Sequence, residues 1–303
     1  MPRRALLALV LAAASWGTAT AVSKRAVAEI PPLTLLAIQL AASLVVLALL
    51  MRWRHEPFRD PTASPILGRL GVLNPGVAYA LGLLGLVHIS ASLSVLLWAA
   101  EPLMILLLAG WFLHERVTPG VVVLSLIAAA GMALVVYAPG PSGQLLGVAL
   151  TLAGVACCAI YTIVARRWLG TAEGTAAVVA TQQLYALAFA LVVVAAVWLA
   201  GGAVRPENVS PAGWLSALVS GVLYYGVAYW LYLSGLREVP ASFAAVSFYL
   251  IPIFGLAAAF LLLGERLNPQ QWLGAGVVIV VVLAIFRAGQ KAKPALPVVA
   301  DLA

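Results

Sequence analysis

Apolar runs of about 20 residues, bounded by Pro, Gly or charged positions, recur along the whole chain. A helix of that length matches the hydrocarbon core of a bilayer, and lipid offers no partner to an exposed N–H or C=O. Each run is therefore predicted to be a membrane-crossing helix. Composition agrees: 64% of the 303 residues are hydrophobic and 9% are charged, against roughly 45–50% and 25% in soluble domains. Ten spans are expected, centred near Ala13, Ala42, Gly76, Met104, Ala128, Val155, Phe189, Leu223, Pro252 and Val278. The longest polar connections, about Arg52 to Pro65, Gly201 to Pro211 and the tail after Phe286, leave no room for a soluble catalytic or nucleic-acid-binding domain.

An even number of spans puts both termini on one side. Lys24, Arg25, Arg205 and Arg266 then share one face, and the other 13 of the 17 Lys and Arg share the opposite face. Basic loops favour the cytoplasm, so both termini are expected there, and the +7 net charge reads as topology before it reads as a partner. Arg3 and Arg4 precede an apolar run ending in Ala19-Thr20-Ala21, which imitates a signal peptide. We expect that segment to be retained, because it has a counterpart near residue 160. Cys157 and Cys158 are adjacent and project in different directions on a helix, which suits packing rather than a disulfide framework or a metal. His55, His88 and His114 fall near span ends and form no metal or nucleophile constellation. With no GxxxxGK[ST] pattern, ATP does not drive the protein directly.

A shift of 150 positions superposes Gly76-Val77-Ala78-Tyr79 on Gly226-Val227-Ala228-Tyr229 and Ala91-Ser92 on Ala241-Ser242. It also places Pro102 on Pro252 and Glu115-Arg116-Val117-Thr118-Pro119 on Glu265-Arg266-Leu267-Asn268-Pro269. A shift of 142 brings Thr20 to Thr162 and Lys24 to Arg166. Two copies of five spans follow, residues 1–138 and 139–288, with 289–303 as a cytoplasmic tail. An odd number of crossings per copy inverts the second copy in the membrane, an arrangement that places a binding site near the midplane between the halves. Thr118 and Asn268, each followed by Pro, are expected to cap helices.

The ten spans, the doubled Pro-to-Glu-Arg pattern and Trp16-Gly17 with Lys24 resemble the EamA-type family of the drug/metabolite transporter superfamily, over essentially the whole chain. Within it the chain looks most like YddG-type exporters of aromatic amino acids. The resemblance implies a secondary transporter without a cofactor, in a bacterial inner membrane, exporting aromatic and other apolar amino acids by alternating access, with protons as a candidate coupling partner. It implies a monomer or weak homo-oligomer and no enzymatic activity. Planar drug cations or nucleotide sugars are the alternative cargoes. A channel or a membrane enzyme fits less well, since no ring of like polar residues marks a pore.

Pro102 and Pro252 fall about 11 residues into their spans, roughly 16 Å deep at 1.5 Å per residue. Each removes the hydrogen bond to the carbonyl four residues earlier, at Trp98 and Phe248. Those carbonyls are expected to border a central cavity, the alternative being kinks that only shape packing. Glu101 is the acidic residue nearest the middle of a span. A carboxyl there must face the interior, paired or neutral, so Glu101 is a candidate proton carrier, ammonium acceptor or structural acid. Gln39 and Gln182 with Gln183 sit on matching spans and need partners at that depth, from a substrate or a neighbouring helix. Trp16, Tyr79, Trp98, Tyr161, Tyr225, Phe248 and Tyr249 are assigned to the cavity, where rings would stack on an aromatic or planar cationic solute. Tyr225, Tyr229 and Tyr232 share one helical face at α-helical spacing, whereas Trp53, Trp198, Trp214 and Trp272 read as interfacial anchors.

Overall fold

The computed structural model describes residues 3–55, 57, 64–112, 144–169, 174–238 and 247–291, with residue 244 and scattered positions between 120 and 134. In chain order the helices are α1 (Arg3–Val27), α2 (Pro32–Arg54), α3 (Pro65–His88), α4 (Ala91–Trp98) and α5 (Glu101–Phe112), then α6 (Gln144–Leu169), α7 (Thr175–Leu199), α8 (Pro211–Glu238), α9 (Ile251–Leu263) and α10 (Pro269–Lys291). No strand occurs among the described residues. Of these helices, α1, α2, α3, α6, α7 and α8 are each long and apolar enough to cross a membrane. The span expected near Ala128, the Thr118 cap and the tail beyond Lys291 lie mostly or wholly outside the described residues.

Local chemistry sets the starts of the helices. Pro32, Pro65 and Pro211 open α2, α3 and α8 in the first turn, where a missing N–H costs no intrahelical bond. Ser210 Oγ caps α8 by accepting from Gly213 N at 3.0 Å. Asn268 caps α10 reciprocally: its Oδ1 accepts from Gln271 N at 2.8 Å, and its own N–H donates to Gln271 Oε1 at 3.0 Å.

Two long helices change pitch midway. A π-helical stretch occupies Val72–Val77 in α3 and Val222–Ala228 in α8, at positions 150 apart in the sequence. In the first, the path breaks at Asn74 (φ −144°, ψ 117°), next to Pro75. The span carrying Pro102 differs from a simple kink. It divides after Trp98, Ala99 and Ala100 tighten into turns on the carbonyls of Leu96 and Leu97, and helix α5 restarts at Glu101. Pro252 likewise falls in the first turn of α9, after a short 3₁₀ turn at Phe248–Leu250. Restarting the helix removes the clash that an interior proline would cause.

Helices meet through residues without large side chains, as expected where lipid supplies no hydrophobic drive between them. A Cβ on Gly17 of α1 would lie 2.6 Å from both Ile251 O and Gly255 N of α9. Gly221 of α8 lies directly against the Gln39 backbone of α2, and Gly71 of α3 against the Gln182 backbone of α7. Helix α3 also packs along α6, and α8 along α1. The outer surface is apolar: Leu145, Val192 and Leu261 are more than two-thirds exposed, as side chains facing lipid would be. Trp53, Trp198, Trp214 and Trp272 are exposed as well.

Candidate functional site

These contacts leave a narrow cavity of about 30 Å³ between α1, α3, α4, α5, α6, α8 and the start of α9. That is room for about two waters, so a larger solute fits only when the surrounding rings part. Its walls are mainly aromatic. Tyr79 stacks on Trp98 with centroids 5.3 Å apart and 27° between planes, and it meets Tyr224 edge-on at 5.2 Å. A second group centres on Trp16, which makes edge contacts with Tyr229 at 5.4 Å, Tyr232 at 5.5 Å and Phe248 at 5.5 Å. Tyr229 lies 6.2 Å from Tyr79 and joins the two groups.

Hydrogen bonds fix these rings. Tyr229 OH donates to Asn74 Oδ1 at 2.5 Å. Thr20 Oγ1 donates to the Trp16 carbonyl at 3.1 Å, so its bond with the Tyr224 hydroxyl must take the proton from the tyrosine. Tyr161 OH donates to Gln182 Oε1 at 2.9 Å. Other polar groups differ. Trp16 Nε1, Gln39 Oε1 and the Tyr225 hydroxyl are buried and have no hydrogen-bond partner among the described residues. Glu101 lines the cavity, is 6% exposed, and has no hydrogen-bond or ion-pair partner among the described residues.

Of the residues expected at the site, Trp16, Tyr79, Trp98, Glu101, Tyr161 and Phe248 line this cavity. Tyr225 packs behind it, its ring 5.1 Å from that of Tyr79. The side chain of Tyr249 lies outside the described residues. Gln39 and Gln182 are engaged elsewhere: Gln39 Nε2 donates to Ser23 Oγ (2.9 Å) and Ser220 Oγ (2.7 Å), and Gln182 Nε2 donates to the Leu67 carbonyl (2.9 Å). Gln183 bonds Ser43 and the Tyr225 carbonyl. These amides join helices, the second of the two roles open to them. Pro102 and Pro252 are both buried at the restarts beside the cavity.

Sequence reasoning missed Thr20, Asn74, Cys158, Thr162, Tyr224 and Ile251, all of which line the cavity. Tyr224 was hidden by the π turn. With an extra residue in the turn, Tyr224, Tyr229 and Tyr232 reach one face at spacings of five and three, and Tyr225 rotates away. Pro75, 150 residues before Tyr225, was the available signal that this turn is irregular.

A bundle of apolar helices around an aromatic cavity, with a carboxyl and an indole N–H unpartnered among the described residues, defines a polytopic membrane protein with an aromatic pocket at its centre. Comparison places it further: the chain belongs to the EamA-like transporter family, whose pattern matches residues 3–137 and 145–287. An uncharacterized transporter of Archaeoglobus fulgidus is 24% identical over 93% of this chain and 98% of its own length. A probable terminal-alkyne amino-acid exporter of Streptantibioticus cattleyicolor is 29% identical over 67% of this chain and 66% of its own. A crystal structure 16% identical in sequence superposes with a TM-score of 0.70 over 96% of this chain and all of that one, which speaks for the fold.

Proposed function

We propose that the protein is a secondary transporter that exports aromatic and other apolar amino acids through this cavity by alternating access. The observation that carries the reading is the pairing of the aromatic walls with Glu101, a buried carboxyl that meets no partner among the described residues. An ammonium supplied by substrate would satisfy it, and the ring of the same substrate would stack on Tyr79 and Trp98. The similarity to a probable amino-acid exporter supports the same class of cargo. Planar cations remain the second reading, because an aromatic cage with an acid suits them too.

Alternating access is supported by paired features of the two halves, which we read as ten spans in two inverted five-helix repeats, residues 1–138 and 139–288. The π turns are 150 residues apart, and Gly71 on the Gln182 backbone mirrors Gly221 on the Gln39 backbone. Both termini then lie in the cytoplasm of a bacterium and Glu265 faces outward; tags on Met1 and Ala303 accessible from outside would defeat this topology. Function is tested by counterflow in liposomes holding purified protein, with phenylalanine, tryptophan, leucine, a planar aromatic cation and a nucleotide sugar as competitors. Saturable counterflow of the amino acids is expected. Counterflow with the cation or the nucleotide sugar alone overturns the amino-acid reading.

A further inference from the structure

At the end of the bundle where α1 ends and α10 begins, the corner between α3 and α4 is gripped from two sides. Lys24 Nζ of α1 donates to the carbonyls of Leu86 and Ile89, each at 2.7 Å, where α3 ends. Glu265, just beyond α9, receives the start of α4: Ala91 N donates to Oε1 at 3.0 Å, and Ser92 N and Oγ donate to Oε2 at 2.9 and 2.6 Å. Gly264 takes φ 66°, a left-handed turn open to glycine, and so directs Glu265 back to that corner. A cation at a helix C-terminus and an anion at a helix N-terminus each match the local dipole, and the two charges attract one another.

Beneath this grip, α1, α4 and α9 meet in a seam of Ala21, Ala91, Ala258 and Ala259, all buried. Gly255 of α9 lies directly against Val95 of α4. The same three helices line the cavity below. Thr20 sits one turn from Lys24, Trp98 lies about 9 Å along α4 from Ser92, and Ile251 begins the helix that ends at Leu263. The seam itself is made of methyl groups that interlock little; Leu256 and Leu267 pack beside it against the cluster of Ile89, Leu93, Leu96 and Leu97, and the polar grip closes its rim.

We propose that Glu265 is the latch of this seam, with Lys24 fastening the same corner, and that its release opens the central cavity to the membrane face bearing Glu265. This rests on reading the cavity as the transport site. It identifies Glu265 and Lys24 as positioning residues that never touch the substrate.

Cys158 lines the cavity and is buried, so the chain carries its own reporter. In a Cys157→Ser background, labelling of Cys158 by a membrane-impermeant maleimide is followed from each face of oriented liposomes. An Arg266→Cys variant identifies the face that bears Glu265. Glu265→Ala is expected to speed labelling from that face about tenfold. Ser92→Ala, which removes one of three bonds, should speed it less, and Lys24→Met should also speed it. Unchanged labelling in folded Glu265→Ala and Lys24→Met proteins overturns the latch, as does an equal rise from both faces, which would mean general loosening. Labelling needs no substrate, so this result stands apart from the counterflow test of the amino-acid reading.

Discussion

Tyr79 of α3 and Trp98 of α4 stack 5.3 Å apart with 27° between their planes, so two helices joined by a tight corner present one continuous aromatic wall to the cavity. Replacing either ring by Ala is expected to weaken binding of an aromatic amino acid by about 1 to 3 kcal/mol, the loss of one desolvated stacking contact. Competition binding in detergent measures it. Unchanged affinity in both well-folded variants would move the site elsewhere.

Glu101→Gln tests the ammonium contact. Removing a charged acceptor is expected to cost about 1.5 to 3 kcal/mol of amino-acid affinity while sparing planar analogues that lack the amine. A variant with full affinity for amino acids that has lost its response to a pH gradient would instead identify Glu101 as a proton carrier. Transport and binding measured on one preparation separate the two roles.

Gly221 lies so close to the Gln39 backbone that a Cβ would come within 2.5 Å of Gln39 Cα and O. Gly221→Ala should therefore force α8 from α2 and destabilise the protein by about 1 to 3 kcal/mol, the usual range for overpacking. Gly276, where an added Cβ meets nothing within 4 Å, provides the control. Thermal melting that ranks the two variants equally would contradict this packing.

Glu29, in the connection between α1 and α2, is held below its ordinary value of 4.5, first by the Ser210 backbone N–H and then by the Ser210 hydroxyl. A depressed carboxyl contributes stability that is fully present above about pH 4.5 and fades as pH falls through its lower folded value. Wild type should thus lose melting temperature on acidification more steeply than Glu29→Gln. Parallel curves for the two proteins would show that the Ser210 contact adds nothing.

The sequence by itself determined that the chain is a bundle of apolar helices, because hydrocarbon leaves the backbone no other way to satisfy its hydrogen bonds. It also marked six residues of the cavity wall. Trp16, Tyr79, Trp98, Glu101, Tyr161 and Phe248 stand out as large or polar groups deep within apolar runs, where they must face protein. Tertiary structure alone decided how polar side chains were shared out. Gln39 and Gln182 have the same depth and chemistry as a ligand-binding amide, and only the nearness of Ser23, Ser220 and the Leu67 carbonyl commits them to joining helices. It decided too that Tyr224 rather than Tyr225 faces the cavity, since one extra residue in the π turn rotates every later side chain on that stretch. And it brought Glu265 to Ala91 and Ser92, more than 170 positions away, a meeting that no local pattern encodes because it depends on how α1, α4 and α9 converge.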